Sequence, residues 1–220
     1  TDPLYSKEDE AFVDLGRCLN LPQQHQRRSQ VDLNTLTERE CTYLLQLGFW
    51  FHTRAEDSEM LHLAAAVDAP LRETARLDSK LEATGALKQF DRCWPLLWVG
   101  VTGQKRSWVE QVEGTAALLN ALQALYPRLG VIFDGWTPPL HSCDYHRRET
   151  RNDDRIIQKI IKRLTFKTRG RLGVIAGLPL LEKVNLGLRV DAFVTNYTTG
   201  SLNVARICGK PGVGHMGQRM

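Results

Sequence analysis

Between Leu96 and His215, short apolar runs alternate with stretches long enough for a helix, and this alternation constrains the fold more than any other feature of the sequence. Leu96-Leu97-Trp98-Val99-Gly100-Val101 is continuously apolar, as a strand buried on both faces requires. Similar runs recur at Gly130–Gly135, Leu172–Gly177 and Asp191–Thr195, and Lys210–His215 reads as the start of a fifth. The intervening segments predict helices from Ser107 to Tyr126, from about Asp153 to Leu164, from Leu180 to Leu186 and from Ser201 to Cys208, with Gly209 closing the last. Trp136–Asn152 reads as a long loop. Strands separated by helices at this spacing predict a parallel sheet covered on both faces, an α/β Rossmann-like architecture.

Residues 1–93 follow a different pattern. Apolar residues there recur at helical spacing and strand-like alternation is missing, so the region predicts an α-helical segment preceding the sheet. The expected helices carry Phe12 to Leu19, then Thr35 to Phe51 behind a Thr35–Glu38 capping box, Met60 to Val67, and Leu71 to Phe90 with Leu77, Leu81 and Leu87 on one side. The division is therefore an α-helical region over 1–93 and a Rossmann-like domain over 94–220. The chain stops soon after its fifth strand begins, which suggests a fragment whose covering helix is missing.

Charge is unevenly spread along the 220 residues. Residues 1–110 hold 13 Lys and Arg against 17 Asp and Glu, whereas residues 111–220 hold 16 against 8. Ten of those cations fall within 147–171, a density that favours an anionic partner, although basic runs also serve simply as solvated surface. Mean hydropathy is −0.31 and no apolar stretch reaches the ~20 residues of a membrane helix, so no transmembrane segment is expected. Five cysteines without CxxC spacing argue against a disulfide framework and for a reducing, cytoplasmic location.

Ligands of an open parallel sheet bind beyond the carboxyl ends of its strands. The loop after the fourth strand, Tyr197-Thr198-Thr199-Gly200-Ser201, opens directly onto a helix start. Backbone amides there form an anion site, the hydroxyls of Thr198, Thr199 and Ser201 can add bonds, and Gly200 admits a phosphate closely. The same residues also read as a plain helix cap. Lys105 and Arg106, after the first strand, are candidate diphosphate clamps or else surface residues beside the Ser107-Trp108-Val109-Glu110 capping box. Asp134 follows the second strand, where a carboxylate can meet a sugar or a base, and also belongs to an ordinary Asp-Gly turn. His215 can face the same crevice or serve structure alone. His141, Cys143, Asp144 and His146 match no standard zinc spacing, so no metal is expected. GxGxxG, GxxxxGK[ST] and GxSxG are all missing.

In order, these residues resemble the C-terminal, nucleotide-sugar-binding half of GT-B-fold glycosyltransferases. The likeness is carried by Asp191–Val213 and by the opening Leu97–Gly100, Lys105-Arg106, Tyr126-Pro127 and Val131–Gly135, covering about residues 95–215. The resemblance implies that Thr198, Thr199, Gly200, Ser201 and Lys105 or Arg106 hold the donor diphosphate, and that Gly177 and Leu178 contact the base. It implies sugar transfer from a nucleoside-diphosphate donor, of UDP type by preference, to an unidentified acceptor, with no metal or further cofactor. The E-x7-E pattern of many retaining members is missing and the first 93 residues do not resemble an acceptor half, so the catalytic residue is unassigned. The alternative is a non-catalytic nucleic-acid or protein-binding adaptor that uses the basic 147–171 surface.

Overall fold

The computed structural model describes residues 12–18, 20, 58–78, 80, 86–103, 108–166, 170–196 and 202–215. Five strands, β1 (Leu96–Gly100), β2 (Gly130–Asp134), β3 (Leu172–Val174), β4 (Ala192–Asn196) and β5 (Gly212–His215), form one sheet in the order β3-β2-β1-β4-β5. Every pairing is parallel. This is the α/β Rossmann-like sheet that the alternation predicts, and all five strands lie where the apolar runs are.

The helices divide between the two faces because the chain winds outward in both directions from β1. α3 (Gln111–Leu125) links β1 to β2 and α4 (Asp144–Arg163) links β2 to β3. Both cover the face from which Leu97, Val99, Val131 and Phe133 project, closing a core with Ala116, Leu119, Ile157 and Ile160. On the opposite face Trp98, Ile132 and Phe193 pack against Leu186 of α5 (Leu180–Gly187), Val204 of a π-helical segment (Leu202–Ile207), and Leu87 and Phe90 of a 3-10 turn (Ala86–Phe90).

This second face carries another layer. α2 (Ser58–Asp78), together with the single-turn α1 (Leu15–Cys18), lies over α5 and the π segment. Val67, Leu71 and Ala75 meet Val184, Ile207 and Cys208. Polar ties reinforce the packing: Asn185 Nδ2 donates to the Ala75 carbonyl (2.9 Å), Arg206 pairs with the buried Asp68 (2.9 Å), and Arg72 donates to the Ile207 carbonyl (3.0 Å). Burial raises the Asp68 carboxyl above its ordinary range against the pull of Arg206. Burial likewise pushes the Cys208 thiol up to about 12, and its Sγ donates to the Val184 carbonyl.

Several local expectations are corrected. α4 begins at Asp144, so the supposed loop 136–152 is half helix; Asp144-Tyr-His-Arg-Arg-Glu-Thr-Arg is too uniformly polar to display an apolar period. α3 begins only at Gln111, with Glu110 at its N-cap making no side-chain cap bond. α2 continues through Pro70 as one helix where two were expected, and Leu77 on it is exposed. The Phe12–Leu19 helix reduces to one described turn, and the 201–208 helix is of π type, ending at Gly209 with φ +64°. The Thr35–Phe51 helix and Leu81 lie outside the described residues.

Candidate functional site

The strand order reverses between β1 and β4, making their carboxyl ends the topological switch point of the sheet. Gly100 ends β1, and Thr195 and Asn196 end β4 beside it. A Cβ at Gly100 would lie 2.0 Å from Thr195 Oγ1, so the absence of a side chain sets how closely the two strands approach. Thr195 is fully buried and donates to Asn196 Oδ1 (3.2 Å). His215 stands opposite Asn196 in the ladder, at the end of β5. Its ring lies 5.7 Å from that of Trp108, which comes from the β1–α3 connection. These two rings therefore span the end of β4, and burial pulls the His215 imidazole below its usual range.

The loop leaving β1 is anchored from below. The Gln111 carboxamide accepts from the Thr102 amide (3.0 Å) and donates to the Thr102 carbonyl (2.9 Å), tying the loop to the first turn of α3. Asp153, buried on α4, accepts from the Gly103 amide with one oxygen and from the Trp136 amide with the other, both at 2.7 Å. One carboxylate thus fixes the loops after β1 and β2 together. Its pKa is raised to about 6, because desolvation outweighs the two amide bonds.

Beside it, Lys183 reaches from α5 to the end of β2 with no exposed surface. Its Nζ lies 2.6 Å from Asp134 Oδ1 and donates to the carbonyls of Gly135 (2.7 Å) and Trp136 (3.1 Å). All three ammonium hydrogens are matched. Burial raises the Asp134 carboxyl, and Lys183 opposes the shift. Asp134 is consequently a buried partner of Lys183 and is not presented to a sugar or a base in this arrangement.

Of the residues expected at the site, Gly177 and Leu178 follow β3. Gly177 adopts φ +84° and donates to the Trp136 carbonyl (2.8 Å), while Leu178 packs partly into the core. β3 lies three ladder steps from β4, about 14 Å at ordinary strand spacing, so these two belong to the β2–β3 side of the crevice. Lys105, Arg106, Thr198, Thr199, Gly200 and Ser201 lie outside the described residues. Asp153, Lys183, Gln111 and Trp108 were not singled out from the sequence. Lys183 alone left a trace there, as a cation set inside the apolar Leu180–Leu188 stretch.

Cys143 and His146 come together at the start of α4, where the Cys143 amide donates to His146 Nδ1 (3.1 Å), and the His146 ring stacks on Trp136 (6.0 Å, 17°). Among the described residues no group of His, Cys, Asp or Glu is placed to hold a metal ion. No family model matches the chain, and neither the curated proteins nor the solved structures give a match. Among the described residues, no helix is long and apolar enough to cross a membrane.

Proposed function

We propose that the chain is the donor-binding part of a glycosyltransferase that transfers a sugar from a nucleoside-diphosphate sugar, of UDP type by preference, to an acceptor. One observation carries the reading. In the sequence, the segments carrying the expected diphosphate-binding residues follow β1 and β4, the two strands that flank the switch point. Lys105 and Arg106 belong to the first segment; Thr198, Thr199, Gly200 and Ser201 belong to the second. Amides, hydroxyls and cations at that point would stabilise the leaving diphosphate electrostatically. The unbridged thiols of Cys18, Cys93, Cys143 and Cys208 agree with action in the cytoplasm.

The test is calorimetric titration with UDP, GDP, CDP, ADP and pyrophosphate at low and moderate salt. One nucleoside diphosphate binds preferentially, and Gly200→Val abolishes its binding. Replacing Lys105 and Arg106 together by Ala weakens it on the order of a hundredfold while leaving the melting temperature unchanged. Equal affinity for pyrophosphate and every nucleotide, lost entirely with salt, would replace this reading by that of a basic adaptor.

A further inference from the structure

The helices α3 and α4 share one sheet face and pack against each other, with polar ties at the C-terminal end of α4. Arg163 pairs with Glu113 (2.9 Å), Asn120 Nδ2 donates to the Arg163 carbonyl (3.1 Å), and Asn120 Oδ1 accepts from the Thr165 amide (2.8 Å). Their outer surfaces differ sharply in chemistry. α4 is 20 residues long, about 30 Å. It buries Asp153, Ile157 and Ile160 and exposes Arg151, Arg155, Lys159 and Lys162 along its length. At 100° per residue these four cations lie on the arc opposite the core. None of them meets a described carboxylate at ion-pair distance; Asp144 acts on Arg151 only from further off, and Arg155 donates to Asn152 Oδ1 (3.4 Å), so the strip stays net positive among the described residues.

The neighbouring α3 carries no charged side chain from Gly114 to Leu125. Leu125 is 73% exposed and Leu118 37%, with Ala117, Ala121 and Ala124 exposed between them. A cationic strip thus runs beside an apolar one on a single face of the molecule.

We propose that this face rests on a membrane surface rich in anionic lipid. The cations of α4 would meet the headgroup phosphates while Leu118 and Leu125 of α3 enter the boundary of the acyl region. Each half of the pattern excludes something. A strip of cations alone would serve a nucleic acid equally, but exposed leucines and alanines add nothing against a phosphate backbone. An apolar strip alone would suit a protein partner, but would not call for four exposed cations in a row beside it. Interfacial protein surfaces combine both, because electrostatic attraction and shallow apolar insertion add. The inference is independent of sugar transfer, since the face lies on the side of the sheet and not at the carboxyl ends of its strands.

Vesicle co-sedimentation of the full chain tests it, using phosphatidylcholine alone and an equal mixture of phosphatidylcholine and phosphatidylglycerol. The chain sediments with the mixed vesicles and stays in solution with the neutral ones. Replacing Arg151, Arg155, Lys159 and Lys162 together by Gln lowers affinity roughly a hundredfold or more. Leu118→Ser with Leu125→Ser lowers it about tenfold. All six positions are exposed, and circular dichroism melts confirm that the variants fold. Three results would overturn the proposal: no sedimentation with anionic vesicles, undiminished binding by the Gln variant, or undiminished binding by the Ser variant. Duplex DNA bound more tightly than the mixed vesicles at equal salt, by the wild type and the Ser variant alike, would assign the face to nucleic acid instead.

Discussion

The two halves of the sheet's carboxyl edge are built in different ways. On the β1–β2 side the strand ends are held by buried charge: Lys183 satisfies Asp134 and two carbonyls, and Asp153 accepts from two loop amides. On the β4–β5 side the fit is steric. Gly100 admits Thr195, whose Oγ1 a Cβ there would approach to 2.0 Å, and the Trp108 and His215 rings close over the end of β4. One side is rigid through long-range polar bonds that span three elements; the other is close-packed between neighbouring strands. A ligand at the switch point would therefore sit between an electrostatically fixed wall and a sterically fixed one.

Breaking the charged wall gives the largest expected effect. Lys183→Met leaves Asp134 enclosed with no counter-charge, so that it must bind a proton or stay charged without a partner, and it strands the Gly135 and Trp136 carbonyls; urea unfolding should show a loss of about 3–5 kcal/mol. The double variant Lys183→Met with Asp134→Leu should recover most of that loss, since it removes both buried charges at once. A double variant as unstable as the single one would show that the carbonyl bonds of Lys183 matter more than its ion pair.

Asp153 gives the next largest effect. Asp153→Ala strands the part-buried Gly103 and Trp136 amides, at about 2–3 kcal/mol for the two together. The native carboxyl also imposes a pH dependence of unusual sign. It titrates near 6 when folded and near 4 when unfolded, so between those values the folded chain binds the additional proton. Its contribution to stability therefore grows as pH falls from 7 to 4, by on the order of 3 kcal/mol. Asp153→Asn should remove that component from a stability profile measured across this range.

The steric wall is probed by Gly100→Ala, whose Cβ would meet Thr195 Oγ1. A loss of about 1–3 kcal/mol follows from overpacking, and it should shrink in the Thr195→Gly background, which removes both Oγ1 and the Cβ 2.6 Å away. A cost unchanged in that background would mean that the backbones, and not the Thr195 side chain, set the spacing of β1 and β4.

Legibility in the sequence divides along the same line. The strands were readable because a buried parallel strand is written locally, as an uninterrupted apolar run. The Gly100–Thr195 contact follows from two such runs pairing, yet nothing in either run announces which other run lies beside it. Lys183 and Asp134 are 49 residues apart, and Asp153 and Gly103 are 50 apart. No local period records such bonds. The first turns of α4 were missed because helices are recognised by an apolar stripe, and theirs is absent until Ile156 and Ile157. The Ser107–Glu110 capping pattern misled because α3 starts at Gln111, with Trp108 turned back onto Gly114, where a Cβ would lie 2.0 Å from the indole.

The outer layer formed by α2 has a consequence for how the chain is made. Ala75 and its partner Asn185 are 110 residues apart, and Asp68 and Arg206 are 138 apart. At ordinary rates of synthesis, α2 leaves the ribosome roughly 5–20 s before the helix it covers. Throughout that interval Val67, Leu71 and Ala75 lack Val184, Ile207 and Cys208, and only Val13 and Cys18 of their cluster have been made. The nascent chain is thus a natural client for chaperones that shield apolar helices, and slowing translation between residues 78 and 180 should lengthen its stay with them.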